Sequence, residues 1–238
     1  MQPLCIKQME ASVRVALVLD HPYTLASSEN VPHRRSFSAA VAAAAIRGLE
    51  AAGHEVDVMD LVADGFDPIM RREDLLAWRH GSVADDLTGD YQRRVMLADH
   101  LIFVFPIWWE TMPAATKGFL DKVLTKGVVF SEDPSKKGNP FTNLMPRLTG
   151  VTLLTIMSTP HAAYRWWFGN PVVKVMFKGT FGKIGVRNLS WTNFDRVAER
   201  SLPERDALLT RTEQRFARLA GPPAASKLPP SRRLAPAG

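Results

Sequence analysis

Two consecutive tryptophans, Trp108 and Trp109, follow Pro106 and Ile107 directly after an apolar stretch of the chain. The isoalloxazine ring of a flavin is planar and electron-poor, and it gains from an aromatic face and from backbone N–H groups aimed at its polar edge. These residues therefore favour such a ring lying against positions 106 to 109. For Trp109, packing under the following helix or in a subunit contact is the alternative.

A second group of polar residues could bind an anion. Ser36 and Ser38 flank Phe37 at the start of an alanine-rich stretch, and His21 follows the first apolar stretch. Free backbone N–H groups and the helix dipole make a helix N-terminus favourable for phosphate. A plain N-cap role for Ser36 and a turn role for His21 are the alternatives. The glycine-rich dinucleotide fingerprint and the P-loop lysine are both absent.

These residues lie between short apolar stretches that alternate with helical patterns. Apolar, β-branched runs are typical of strands buried on both faces, and parallel strands need crossover helices that cover the sheet. The pattern therefore predicts an α/β fold with a doubly wound parallel sheet, which binds ligands beyond the carboxyl ends of its strands. The predicted strands are 13–19, 55–60, 100–105, 151–157 and 185–191, and the predicted helices are 37–49 (closed by Gly53), 86–98, 113–124 and 203–219.

The composition limits the class of protein. With 238 residues and 46% hydrophobic content, the chain can bury one core. This predicts one domain over 13–221, an extension over 1–12 and a disordered Pro- and Arg-rich tail over 222–238.

The single cysteine, Cys5, excludes an intrachain disulfide, and no metal site is expected. Without a long apolar run or a signal peptide, a cytoplasmic protein with no membrane insertion is expected. A net charge of +6 suits small phosphorylated ligands better than nucleic acid.

Four stretches of the chain form a recognisable set. They are His21-Pro22 with Ser36-Phe37-Ser38, residues 53–56 with 60–61 and 66–68, residues 98–114, and residues 117–123. Together they resemble the flavodoxin-like NAD(P)H:quinone oxidoreductase family, which includes DT-diaphorase, the bacterial modulator of drug activity and the potassium-efflux ancillary proteins. The resemblance covers residues 13 to about 195 and implies a flavodoxin-like five-stranded parallel sheet with strand order 2-1-3-4-5.

The resemblance implies a tightly bound FMN or FAD. In this family the flavin takes hydride from NAD(P)H and, after nicotinamide leaves, passes two electrons to a quinone or a similar small acceptor. The residues that match the family's flavin-binding positions are His21, Ser36, Phe37, Ser38, Pro106, Ile107, Trp108, Trp109, Ser158 and Thr159.

The loop after the fourth strand is the implied place of the chemistry. Ser158 and Thr159 stand where the family has a glycine pair whose N–H groups meet the ring, and Tyr164 stands where it has a tyrosine near the hydride path. The histidine that partners this tyrosine in DT-diaphorase is replaced by Asn170. We therefore predict Tyr164 and His161 as the catalytic residues, with a solvated surface role as the alternative for His161.

Further predictions concern the first loop and the assembly. Residues 23–35 exceed the compact family form by roughly ten residues, and Arg34 and Arg35 would cover the phosphate unless the loop is a mobile excursion. The family implies a homodimer, and Lys117 and Asp121 are expected on a helix surface or in a dimer contact.

The competing function is a regulatory subunit that docks on a partner such as a potassium-efflux transporter. A one-electron flavodoxin carrier is disfavoured, because such carriers are acidic and this chain is basic.

Overall fold

A computed structural model describes residues 12–29 and 35–219. The strands are β1 (Arg14–Leu19), β2 (Glu55–Asp60), β3 (His100–Pro106), β4 (Phe130–Glu132), β5 (Phe141–Asn143), β6 (Gly150–Met157) and β7 (Asn188–Asp195). The α-helices are α1 (Phe37–Ala51), α2 (Arg72–Arg79), α3 (Asp86–Leu97), α4 (Ala114–Val123), α5 (His161–Trp166), α6 (Pro171–Val173) and α7 (Leu202–Phe216). Short 3-10 helices cover Leu25–Glu29 and Val197–Glu199, and a π-helix covers Lys174–Phe181.

Five of the strands form one parallel sheet in the order β2-β1-β3-β6-β7. Numbered without the separate antiparallel hairpin β4–β5, this order is 2-1-3-4-5, which confirms the predicted flavodoxin-like topology. The chain passes from β1 outward to β2 and then back to β3 on the other side of β1. Strand order therefore reverses between β1 and β3, where open α/β sheets leave a crevice.

Helices α1 and α7 cover one face of the sheet. The alanines of α1 pack on Leu17 and on Phe216 of α7 in a continuous buried cluster. Gly48 is needed where the two helices cross, since a Cβ there would overlap the carbonyl group of Glu213. The sequence pattern of small residues in α1 thus permits close helix packing, which holds the N-terminus of α1 firmly against the sheet edge.

The other face is covered by α3, α4 and the π-helix. Phe119 of α4 lies between Phe103 of the sheet and Tyr91 of α3, with ring centroids 5.7 and 5.8 Å away. Gly118 lets α4 approach the loop at Pro68, because a Cβ at this position would overlap the proline backbone. Packing therefore explains Gly118 and Phe119 of the motif in residues 117–123.

Helix α1 begins and ends as its sequence predicts. Ser36 has an extended conformation, and its Oγ accepts a hydrogen bond from Ala39 N (2.9 Å), as an N-cap does. Gly53 follows the helix with φ of +81°, in the left-handed region that glycine adopts without strain.

The fifth sheet strand was predicted at 185–191, but the structure places it at Asn188–Asp195. Gly185 has φ of +103°, and Val186 N bonds to Phe181 O (2.9 Å), so these residues close a turn after the π-helix. The apolar signal at Val186 comes from its burial in that turn. Helix α2, the β4–β5 hairpin and the helical region of residues 161–181 were also absent from the sequence interpretation.

The predicted terminal segments stay untested. Residues 1–11 and 220–238, with Cys5 among them, lie outside the described residues. Within the described residues, no helix is both long and apolar enough to cross a membrane.

Candidate functional site

A cleft of about 480 Å³ lies at the carboxyl edge of the sheet. It receives residues from the ends of β1, β3 and β6, from the start of α1 and from the segment after β7. This is the edge where the topology predicts a ligand. The residues that line it are His21, Arg35, Phe37, Ser38, Pro106, Ile156, Val197, Ala198 and Arg205.

The lining of this cleft carries two arginines, a histidine and no carboxylate. Two acids close to the end of β1 are engaged elsewhere. Asp20 Oδ2 accepts hydrogen bonds from Thr116 N (2.6 Å) and Thr116 Oγ1 (2.7 Å), and Asp60 Oδ2 accepts one from Leu25 N (2.7 Å). Burial raises the pKa of Asp20 against the lowering effect of Thr116. The electrostatics of the cleft therefore favour an anionic ligand.

We call His21, Arg35, Ser36, Phe37 and Ser38 the anion end of the site. Ser36, Phe37 and Ser38 are buried at the first turn of α1, and Phe37 packs edge-on against Phe194 (ring centroids 5.9 Å apart). Ser36 is the N-cap, the alternative weighed for it, and its oxygen is used within the helix. Of the two serines at this turn, Ser38 is the one that lines the cleft.

His21 is held in place by the backbone of Tyr23, whose N and O lie 3.0 and 3.1 Å from its Nδ1. Burial lowers the pKa of His21, against the raising effects of Tyr23, Asp20 and Asp60. Burial therefore favours the neutral form of the ring. Its Nε2 has no hydrogen-bond partner among the described residues, so it remains for a ligand.

We call Trp108, Trp109, Glu110, Ser158 and Thr159 the loop end of the site. They follow β3 and β6, which are neighbours in the sheet and pair Pro106 with Ile156. The two loops thus leave the sheet side by side, next to the apolar part of the cleft.

A tight turn follows β3. Ile107 N bonds to Ile156 O (2.7 Å), and Trp108 pairs with Thr111 through two backbone bonds of 3.0 and 3.1 Å. The N–H groups of Ile107 and Trp108, which the sequence assigned to the ligand, are therefore used within the protein. The N–H groups of Trp109 and Glu110 make no hydrogen bond with the described residues, so the available donors lie further along the loop than predicted.

The turn also carries backbone strain. Trp109 and Glu110 have φ of +48° and +63°, although neither is glycine. Such residues cost on the order of 1–3 kcal/mol each and concentrate at functional sites. Trp108 is 46% exposed and Trp109 is 99% exposed, so neither is a core residue. Trp109 therefore does not pack under the following helix, and a subunit contact for it stays a prediction.

The loop after β6 offers a second pair of donors. Ser158 is exposed and Thr159 is half-buried, and the backbone N–H groups of both lack a partner in the described part of the chain. The loop is anchored by Asp195, whose Oδ2 accepts from His161 N (2.9 Å). Burial alone would raise the pKa of Asp195, but the His161 N–H and Arg200 lower it, which keeps the anchor ionised.

The two predicted catalytic side chains both pack against Trp191. The His161 ring stacks on it with centroids 5.1 Å apart, and the Tyr164 ring lies 6.0 Å away. His161 is half-buried. The Tyr164 side chain is fully buried.

Tyr164 has a hydroxyl that is already occupied. It donates to Glu110 O (2.8 Å) and accepts from Val172 N (3.0 Å). Burial raises the pKa of Tyr164 to about 12, assisted by the nearby Glu110 and opposed by Val172. This occupied hydroxyl does not support the predicted catalytic role of Tyr164. Its two hydrogen bonds instead link α5 to α6 and to the strained turn that contains Glu110.

Several lining residues were not found from the sequence. Val197, Ala198 and Arg205 come from the segment after β7, whereas the switch-point rule points to the loops after the first, third and fourth sheet strands. Arg35 lines the cleft as predicted by position, while Arg34 lies outside the described residues. Glu110 was not predicted as a site residue, because no sequence pattern indicates that a glutamate adopts the left-handed backbone conformation.

The topology, the cleft at the switch point and the helix N-terminus beside it define a doubly wound flavodoxin-like protein. A family profile described as a flavodoxin-like fold matches residues 26–218, and the chain belongs to this family. It is 33% identical over 150 residues to the NAD(P)H dehydrogenase [quinone] 1 of Cavia porcellus, covering 56% of this chain and 51% of that protein. The chain spans about half the length of the curated relatives it matches.

Solved structures agree on the fold. The NAD(P)H:quinone oxidoreductase from Methanothermobacter marburgensis has a TM-score of 0.72 at 23% identity, covering 87% of this chain and 99% of that one. An FMN-dependent NADH-azoreductase from Bacillus anthracis, solved in complex with FMN, has a TM-score of 0.66 at 15% identity and covers 88% and 100%. At these identities the likeness concerns the fold.

Proposed function

We propose that this chain is a flavin-dependent NAD(P)H oxidoreductase that reduces quinones or similar small acceptors, with FMN as its flavin. The observation that carries the proposal is one cleft with a carboxylate-free anion end and, beside it, four unpartnered backbone N–H groups at the loop end. When bound, the flavin would supply the hydride acceptor and donor. The protein's own part is to bind, orient and shield it.

The anion end fits a phosphate. His21 Nε2, the Ser38 hydroxyl and the Arg35 guanidinium border the same cleft at the N-terminus of α1. A helix N-terminus adds its dipole and free N–H groups, so an anion needs no further lysine there. His21 Nε2 contributes a hydrogen bond to this anion.

The loop end fits a planar ring with a polar edge. We assign the ring's polar edge to the N–H groups of Trp109 and Glu110 on one loop and of Ser158 and Thr159 on the other. Fixed N–H donors stabilise negative charge that develops on a ligand, and they need no rearrangement to do so. The half-exposed Trp108 side chain supplies an aromatic face beside Pro106.

Tyr164 and His161 have different roles in this proposal. Tyr164 is a positioning residue, because its hydroxyl holds the Glu110 carbonyl and so orients the N–H groups of the strained turn. His161 is half-buried next to the Ser158–Thr159 loop, and it stays the candidate for contact with a substrate.

The comparisons support FMN as the flavin and a quinone as the class of electron acceptor. A similar fold carries FMN in the Bacillus anthracis azoreductase, and the Cavia porcellus relative is named as a quinone dehydrogenase. The homodimer stays a prediction. Lys117 and Asp121 pair with each other at 2.5 Å on exposed positions of α4, which leaves α4 available for such a contact.

The test is to purify the full chain and record its absorption spectrum before and after anaerobic addition of NADH or NADPH. Flavin absorbance that bleaches with a nicotinamide and returns with a quinone is expected. A colourless protein whose thermal unfolding is not shifted by added FMN or FAD contradicts the binding proposal. Bound flavin without turnover would instead favour the regulatory subunit, and mass spectrometry of the released cofactor separates FMN from FAD.

A further inference from the structure

Charge is distributed unevenly along the chain. Residues 134–194 contain eight Lys and Arg residues and no Asp or Glu, so this segment carries +8. Since the whole chain carries +6, all other residues together carry −2. Basic side chains of this stretch can pair only with carboxylates from other parts of the chain, as Arg147 does with Asp99 (3.0 Å).

The same segment presents three large aromatic side chains to solvent. Trp166, Trp167 and Phe168, at the end of α5, are 78%, 86% and 45% exposed. None of them belongs to the two buried clusters that cover the sheet. Exposed apolar side chains in consecutive positions indicate a surface that binds something.

Basic side chains flank these aromatics. The Arg165 guanidinium lies 5.0 Å from the Trp166 ring centroid, and the Lys174 ammonium lies next to Gly169. Lys178 is exposed one turn further along the π-helix. Within the described part of the chain, none of these three side chains makes an ion pair.

Other basic residues behave differently. On helices α3 and α4, Arg93 pairs with Asp90 at 2.7 Å and Lys117 pairs with Asp121 at 2.5 Å. The surface formed by Arg165, Trp166, Trp167, Phe168, Lys174 and Lys178, which we call the aromatic–basic surface, therefore has both unburied apolar area and uncompensated positive charge.

We propose that the aromatic–basic surface docks the protein peripherally on bilayers that contain anionic phospholipids. Tryptophan side chains prefer the level of the lipid headgroups, where the ring is apolar and its N–H is solvated. Lysine and arginine beside them are attracted by anionic headgroups within a Debye length. This is a function in addition to the proposed oxidoreductase activity and does not depend on it.

The positive charge of the aromatic–basic surface also argues against a second copy of the chain binding there. A two-fold interface brings the same surface of both subunits together. Arg165, Lys174 and Lys178 of both subunits would then lie in one interface to which this surface contributes no carboxylate, which is unfavourable. An anionic lipid surface complements these charges directly.

The test is sedimentation of the full chain with phosphatidylcholine vesicles, with and without phosphatidylglycerol. Binding is expected only with phosphatidylglycerol, and it should weaken as salt is added. Lys174→Glu with Lys178→Glu should weaken binding by at least about 25-fold, since each basic residue contributes about fivefold. Trp166→Ser with Trp167→Ser should weaken it by about tenfold or more.

The matched control is Arg211→Glu with Arg218→Glu, which makes the same charge change on exposed positions of the α7 region, at the other face of the sheet. This variant should lose only about threefold, because its charges lie far from the docked surface. Thermal unfolding checks that every variant is folded.

Three results would overturn the proposal. One is no binding that depends on phosphatidylglycerol. Another is an equal loss in the α7 control, which would mean that net charge alone drives adsorption. The third is a dimer in analytical ultracentrifugation that Trp166→Ser with Trp167→Ser converts to monomers, since the surface would then be covered by a second copy.

Discussion

The two ends of the candidate site are built in opposite ways. At the anion end, Ser36, Phe37 and Ser38 are buried, and Ser36 caps a helix that packs tightly on the sheet. At the loop end, Trp109 is almost fully exposed and shares a strained left-handed turn with Glu110. One end is formed by buried residues at the start of a packed helix, whereas the other is an exposed turn held in a strained conformation.

This difference fits a site that must hold one ligand firmly and meet others in turn. A phosphate bound at a helix N-terminus can anchor a cofactor without further movement. The loop end then presents backbone N–H donors that would form their hydrogen bonds with a bound ring. The strain there costs stability, and retaining it makes sense where a fixed donor geometry is needed.

The largest effect is expected when the anion end is given a negative charge. Ser38→Asp places a carboxylate in the first turn of α1, where it suits the helix dipole but repels a phosphate. FMN affinity, measured by fluorescence titration, should fall by more than about 100-fold in a variant that thermal unfolding shows to be folded. Ser38→Ala is the control, with a loss of about fivefold. Unchanged affinity in Ser38→Asp would remove the anion end from the site.

A smaller effect is expected when the support of the loop end is cut. Tyr164→Phe leaves the Glu110 carbonyl and the Val172 N–H without their buried partner. The free energy of unfolding, measured with urea, should drop by about 1–3 kcal/mol. FMN affinity should fall only slightly, because the Tyr164 hydroxyl is engaged within the protein. A large loss of turnover at unchanged stability would instead restore the catalytic role predicted for Tyr164.

The two tryptophans divide the loop end further. Trp108→Ala should weaken FMN binding by about tenfold, as expected for a lost stacking face. Trp109→Ala should weaken it by about twofold or less, because its side chain is exposed and only its backbone is assigned to the ligand. Isothermal titration of both variants measures the contrast. Equal and negligible losses would mean that neither side chain meets the ring.

The smallest effect isolates the backbone strain at Trp109. Trp109→Gly and Trp109→Ala both remove the side chain, but only glycine accepts a φ of +48° without cost. Glycine should therefore be more stable than alanine at this position by about 0.5–1 kcal/mol, after its greater entropy loss on folding. Urea unfolding of the two variants gives the comparison. A glycine variant no more stable than the alanine variant would mean that the turn carries no strain.

Local sequence patterns predicted the conformation of helix α1 and its two ends well. The serine cap, the alanine-rich helix and Gly53 are adjacent in the chain, and their conformations follow from short-range hydrogen bonding and φ preferences. The loop end was predicted only in outline. Trp108 and Trp109 indicated it, but the available N–H groups are those of Trp109 and Glu110, because the sheet register engages Ile107 and the turn engages Trp108.

The sequence by itself determined the α/β class, four of the five sheet strands to within a residue or two, and helix α1 with its serine N-cap. Each of these depends on apolar periodicity or on residues near one another in the chain. Only the tertiary structure decided that Arg205 joins the cleft, that Tyr164 is a buried tie and that β7 begins at Asn188. Those facts depend on packing between segments far apart in the chain, where an apolar or aromatic residue has the same pattern whether it builds a strand, closes a turn or faces a ligand.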